Sequence, residues 1–541
     1  MTLTRQSSRS KLDTKPTTTR PQRVSKRINS SEEDLQPAKR HKAATSDHQT
    51  SAKKTPSQPT TRRAAPQKLT VDKSNLVSLG KKKATNTTPS KAPKKTTKKT
   101  TPKGRTVRKK LPLLDGSYTL KHVLKGHTEF NVPVRDKNDT EDSKDIWCCE
   151  FEPVASDVGP FDQQKPGELQ SFALCGSYTV LFADPALGKY TKKYTHSEIQ
   201  EIFYCMAWTR LEGEELLDGS LFDDGDEVSH CNVLAVAGRL GSVKLLNPLQ
   251  NDCYRYLFGH QKAILAMTFA KTEPRWLFTA SADKTVRLWD IGSPTKKMDD
   301  SLCLAEFILP PKSGDPSAVS ISYDLSRLIV GCNNGDMIEF NLSTSELDEY
   351  RQTARDFRSD KTIETEHHAI PHVNSAMKYP AGDEWHEGYV DDVCIIGQDG
   401  NEKSALYNTI VSRGSADMEI LVWDPANSTR TDADIKLSLD WPDAADCTGL
   451  KFKVIEAAGQ KVLLAGDYDG QIFIYDIGNQ KESKTLEDGS KEQFKPKRIL
   501  SHSMSSEMIR DVSCSYDTKT IVAVDNNNNV FVWTSSLSTR E

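Results

Sequence analysis

The first 110 residues of this 541-residue chain contain no Phe, Tyr or Trp. They are crowded instead with Ser, Thr, Pro and Lys, and they carry 30 Lys+Arg against 6 Asp+Glu. Such a stretch cannot bury enough apolar surface to offset its ordering entropy, so a disordered basic tail is predicted over residues 1–115. No apolar run in the chain approaches the ~18 residues of a membrane span, and no apolar signal-peptide core stands at the N-terminus. No partner membrane is therefore expected. The eleven cysteines form no CxxC pair, which argues against a paired zinc site and for buried, reduced thiols. There is no glycine-rich phosphate loop, HExxH or GxSxG, so nothing points to an enzyme or to a cofactor. His367, His368 and His372 cluster without the further ligands a closed metal site needs, and no metal is expected.

Net charge is -2, but the balance is uneven: residues 111–541 carry 43 Lys+Arg against 69 Asp+Glu. The basic excess lies wholly in the tail. There, Lys26-Arg27 and Lys39-Arg40-His41-Lys42 stand eleven residues apart, the spacing of a bipartite nuclear localisation signal. Dispersed cations without aromatics suit attraction to DNA or RNA phosphates rather than base reading. A nuclear, chromatin-associated location is expected.

Beyond residue 116 the pattern changes. Residues 259–291, GHQKAILAMTFAKTEPRWLFTASADKTVRLWDI, hold a Gly-His pair, an apolar run, a Ser-Ala-Asp turn and a closing Trp-Asp. That is the sequence form of one four-stranded propeller blade, and one blade implies others. Six more segments show two alternating strands about a Gly, Asn or Asp turn: 172–185, 232–248, 328–342, 409–425, 462–477 and 520–534. The fold class expected is all-β: a seven-bladed propeller over residues 116–535. Residues 118–127 should close the ring as its last strand. An acidic stretch at 212–230 and a longer one at 343–385 read as insertions in surface loops.

The quoted strings, with DIWCCEFEPV and FYCMAWT, resemble the propeller family of leucine-rich repeat and WD repeat-containing protein 1, a protein associated with the origin recognition complex. More distantly they resemble the embryonic ectoderm development subunit of Polycomb repressive complex 2. In the third blade, WD-repeat resemblance implies a buried network of His260, Ser281, Asp283 and Trp289. It also implies a non-catalytic role: a chromatin adaptor that binds methylated histone tails and origin recognition complex subunits. The alternatives are a subunit of a histone methyltransferase complex, or a nuclear scaffold in ribosome assembly or ubiquitin ligation that reads no histone.

Local alignment with the Polycomb subunit places Trp147 and Tyr204 at two walls of an aromatic cage for methyl-lysine, a ligand held by cation–π attraction. Thr448 and Gly449 stand where the third wall would be, and Trp441 is the nearest aromatic to replace it. Tyr389, Lys451 and Arg510 match other residues of the peptide-binding mouth. On the residues alone, Trp147 and Tyr204 serve equally as packing between blades.

Overall fold

In the computed structural model, residues 112–126, 145–154, 170–212, 230–295, 299–359, 369–379, 386–429, 432–442, 448–457, 460–487 and 489–536 are described. The localisation residues Lys26, Arg27, Lys39, Arg40 and Lys42 lie outside them, as do His367, His368 and residues 213–229 of the acidic stretch.

Seven antiparallel sheets form the blades of a propeller. Their innermost strands, blades one to seven, are Ile146–Phe151, Phe203–Glu212, Ile264–Phe269, Pro316–Ile321, Val390–Ile395, Phe452–Ala457 and Ile509–Cys514. The second strands are buried along their whole length in several blades, including Phe172–Gly176, Trp276–Ser281 and Ile410–Gly414. Alternate side chains of each strand therefore enter two different cores, one shared with each neighbouring blade. Cys148 and Cys149 illustrate this: Cys148 packs toward blade two with Phe203 and Met206, while Cys149 packs toward blade seven with Val522 and Val524.

Closure follows the sequence expectation. Strand Ser117–Lys125 pairs antiparallel with Asn529–Ser536 as the outermost strand of blade seven. A short helix, Pro112–Asp115, precedes it. Its Leu113 and Leu114 are buried against blades six and seven, so folded structure begins a few residues ahead of 116.

The stretch 343–385 is more than a surface loop. Ser343 caps a helix, Thr344–Ser359, through a reciprocal box with Glu346: Ser343 N donates to Glu346 Oε2 (2.7 Å) and Glu346 N to Ser343 Oγ (3.3 Å). Leu347, Tyr350 and Ala354 are buried in the core of blades three and four, with Tyr350 edge-on to Trp276. The chain then adds His372–Val373 in parallel to the outer strand of blade three and supplies Met377–Tyr379 as the outermost strand of blade four. His372 pairs there with Glu306 (3.3 Å). Blade five gains a comparable parallel strand, Gln493–Phe494.

The blade-three network differs from expectation by one residue. His260 Nδ1 lies 2.9 Å from Asp283 Oδ2, but its Nε2 meets Thr279 Oγ1 at 2.8 Å, and Trp289 Nε1 donates to the same hydroxyl at 2.9 Å. Thr279 thus takes the place assigned to Ser281. Ser281 Oγ instead donates to the Lys262 carbonyl and accepts from Asp283 N. Blade five repeats the device without the Gly-His signal: His386 joins Asp417 (2.5 Å) and Ser412 (2.8 Å), and Trp423 Nε1 donates to Ser412 Oγ (2.9 Å). These buried polar groups satisfy one another and fix each blade's turn to its strands.

Candidate peptide-binding mouth

Six of the seven innermost strands share one irregularity. Near the strand's start the register against the second strand slips by a residue, leaving one position unopposed. The skipped residues are Trp147, Tyr204, Leu265, Ser317, Asp391 and Arg510. A bulge re-aims the side chain of its extra residue and ends regular pairing. All six stand at the same place in their blades, so the bulges gather them about one end of the propeller axis. Blade six keeps unbroken register.

Three sequence-predicted site residues are therefore brought together. The rings of Trp147 and Tyr204 meet edge to face, with centroids 5.4 Å apart and planes at 90°. The Arg510 guanidinium lies 4.3 Å from the Trp147 ring centroid and is held by Asp145 through Nη2–Oδ2 at 2.5 Å. A cation already occupies one aromatic surface of the mouth, which is the interaction a methylated lysine would use.

The third wall is different in kind. Gly449 has φ +83° and leaves its space open; an added Cβ would lie 3.5 Å from Trp147 Cζ3. Its N–H donates to Asp391 Oδ1 (2.5 Å). Trp441 does not come to this place. It is buried between blades five and six, edge-on to Phe473 at 5.5 Å, with the Arg413 guanidinium 4.9 Å from its centroid. The substitution of Trp441 for a cage wall is thus overturned by its packing.

Asp391 and Arg413 stand at the candidate mouth and were not picked out from the sequence. They pair at 3.0 Å, both fully buried. Burial pushes the Asp391 carboxyl up to about 7, against the lowering effect of Arg413 and the Gly449 N–H. Tyr389 sits beside this pair, its N–H bonded to Ser415 Oγ (3.1 Å), and burial and then Asp391 push its hydroxyl to about 12. Lys451 points inward rather than to the rim: its Nζ donates to Cys148 Sγ at 3.3 Å, in an axial cavity of about 390 Å³. Glu150, Asp392, Lys453 and Asp511 line the same cavity.

Residues 118–335, from the closing strand to the turn after the second strand of blade four, match the family profile described as "Leucine-rich repeat and WD repeat-containing protein 1, WD domain". The propeller resembles that WD domain. The Xenopus tropicalis protein of that name is 24% identical over 432 residues, covering 78% of this chain and 54% of its own length. The Homo sapiens protein is 26% identical over 374 residues, covering 66% and 48%. The chain thus spans about half the length of these curated relatives. The Polycomb protein esc of Drosophila melanogaster is more distant, 23% identical over 385 residues, covering 68% of this chain and 77% of its own. Among solved structures, a chain of Chaetomium thermophilum polycomb repressive complex 2 superposes with a TM-score of 0.53 at 15% identity, covering 77% of this chain and 98% of that one. At that identity the likeness speaks for the fold alone.

Proposed function

We propose that this protein is a non-catalytic chromatin adaptor of the nucleus, whose propeller mouth takes a methylated lysine of a histone tail against the rings of Trp147 and Tyr204. The observation that carries the reading is the perpendicular pair of rings on adjacent bulges with a cation lying against one of them. An aromatic surface that holds a guanidinium offers the same electrostatic attraction to a quaternary ammonium, about 0.5–2 kcal/mol per contact. The open place at Gly449 makes this a two-walled site, so the ligand is held more weakly than in a closed cage. The basic tail adds nuclear import and phosphate attraction, and origin recognition subunits are the proposed partners, in line with the resemblance over residues 118–335. A second reading, a subunit of a histone methyltransferase complex, is supported by the distant sequence likeness to the Polycomb protein esc.

The test is binding of the full chain to fluorescent histone peptides, methylated and unmodified. Methylated peptides should bind several-fold more tightly, and Trp147→Ala and Tyr204→Ala should each erase the difference. Equal binding of both forms, unmoved by either substitution, returns the protein to the class of scaffolds that read no histone mark. Co-purification then separates the two partner assignments.

A further inference from the structure

Cys148 differs from the other described cysteines in its company. It lines the axial cavity one residue from the bulged Trp147. Lys451 Nζ donates to its sulfur at 3.3 Å. The Tyr204 carbonyl lies 3.3 Å from the same atom. Across the strand pair its register partner is Cys175, in the same core cluster. Asp511 and Asp392 face the Lys451 ammonium from the neighbouring inner strands, and Cys205 faces it from blade two.

These groups act in opposite directions, and the favourable ones prevail. The neighbouring Cys175 thiol and the Lys451 charge hold the Cys148 thiol below its ordinary value, against the raising effect of burial. Cys149, Cys175 and Cys205 are all pushed up, chiefly by burial. Of these four thiols Cys148 is the one shifted toward its ionised form, and the ionised form is the nucleophile.

We propose that Cys148 is an oxidation site within the propeller, attacked by hydrogen peroxide and resolved by Cys175 into a reversible disulfide. The Cys148 sulfur attacks one peroxide oxygen and the O–O bond breaks. Cys148 becomes a sulfenic acid, and the hydroxide that leaves is neutralised by the proton the Cys148 thiol released on ionising. The Cys175 sulfur then attacks the Cys148 sulfur and the S–OH bond breaks, with the departing hydroxide taking the Cys175 proton. In sum, two thiols and one peroxide give one disulfide and two waters. Geometry permits the bridge. Residues directly opposed on antiparallel strands have Cα atoms about 4.5–5.5 Å apart, within the roughly 4.4–6.8 Å that disulfides span. Peroxide, with two heavy atoms, fits a cavity of about 390 Å³.

The inference does not depend on the mouth reading histones, and its readout is covalent. The reduced full chain is treated with sub-millimolar hydrogen peroxide at pH 7, quenched, alkylated under denaturing conditions and mapped by mass spectrometry. A Cys148–Cys175 linked peptide should form first, and dithiothreitol should remove it. In Cys175→Ser, Cys148 should instead be trapped by dimedone as its sulfenic acid. In Lys451→Met, native-state alkylation of Cys148 by iodoacetamide should slow about fivefold or more. The proposal is overturned if Cys148 in the unaltered chain reacts no faster than the partly exposed Cys394. It also fails if neither the linked peptide nor the dimedone adduct forms. The unaltered-chain measurement decides the matter even if a variant fails to fold.

Discussion

Replacing Thr279 by Val isolates the hydroxyl that ties blade three together. The two side chains have nearly the same shape, so no cavity opens; only the polar atom is lost. Thr279 is fully buried. Its oxygen accepts the Trp289 indole N–H at 2.9 Å, so its single proton is directed to His260 Nε2 at 2.8 Å. This assigns the one ring N–H of His260 to Nδ1, which donates to Asp283 at 2.9 Å. The substitution strands a buried indole donor and a buried imidazole acceptor. At about 1–3 kcal/mol for each orphaned group, Thr279→Val should cost roughly 2–6 kcal/mol. With an unfolding entropy of roughly 2.1 cal/mol/K per residue over about 400 residues, Tm should fall by about 2–7 °C. Thermal unfolding followed by tryptophan fluorescence measures this. Ser281→Ala, which removes the bond to the Lys262 carbonyl, should cost nearer 1 kcal/mol. A double-mutant cycle with Trp289→Phe should give clear coupling to Thr279→Val and coupling within about 0.5 kcal/mol of zero to Ser281→Ala. A Thr279→Val protein as stable as the parent would refute the reasoning, and so would Ser281 proving the residue coupled to Trp289.

Two other outcomes are expected. Burial works to raise the Asp283 and Asp417 carboxyls, but hydrogen bonds from His260 and His386 outweigh it and hold both below the ordinary carboxylate range. A depressed folded-state value stabilises the fold above about pH 4 and loses that contribution as pH falls further. Urea midpoints should therefore drop from pH 5 to pH 3, and Asp283→Asn should flatten part of that slope; an unchanged slope removes Asp283 from the account. Gly449→Ala should cost about 1–2 kcal/mol, because its φ of +83° disfavours any side chain while no atom lies closer than 3.5 Å to the added carbon. A calorimetric scan indistinguishable from the parent's would show that the turn relaxes.

The blades were legible because each carries its own punctuation. Alternating apolar runs about Gly, Asn or Asp turns survive insertions of any length, so seven blades and the closing strand at 117–125 could be read without spacing. Thr279 and Ser281 were harder. They sit two apart on one strand, hence on one face, and a repeat pattern cannot say which hydroxyl meets the histidine. The second network escaped because His386 lacks the preceding glycine that marks His260. The helix at Thr344–Ser359 did announce itself, in the Ser343-x-x-Glu346 box, but an insertion was expected to be loop. At the mouth, Trp147, Tyr204 and Arg510 could be aligned but not seen to converge. A bulge has no compositional signature, so Asp391, at the same structural position, went unremarked until the strand registers were known.

The ring is sealed by residues at opposite ends of the sequence: Lys125 lies opposite Asn529, and their side chains are hydrogen-bonded across 404 positions. During synthesis at roughly 5–20 residues per second, the strand Ser117–Lys125 leaves the ribosome some 20–80 s before its partner exists. Throughout that interval an edge of open backbone donors and acceptors, followed by a growing row of unsealed blades, is offered to whatever strand is nearby. In a crowded polysome the nearest strand is the same segment of a sister chain. The latch that makes the finished ring edgeless therefore leaves an unpaired edge exposed for as long as synthesis lasts.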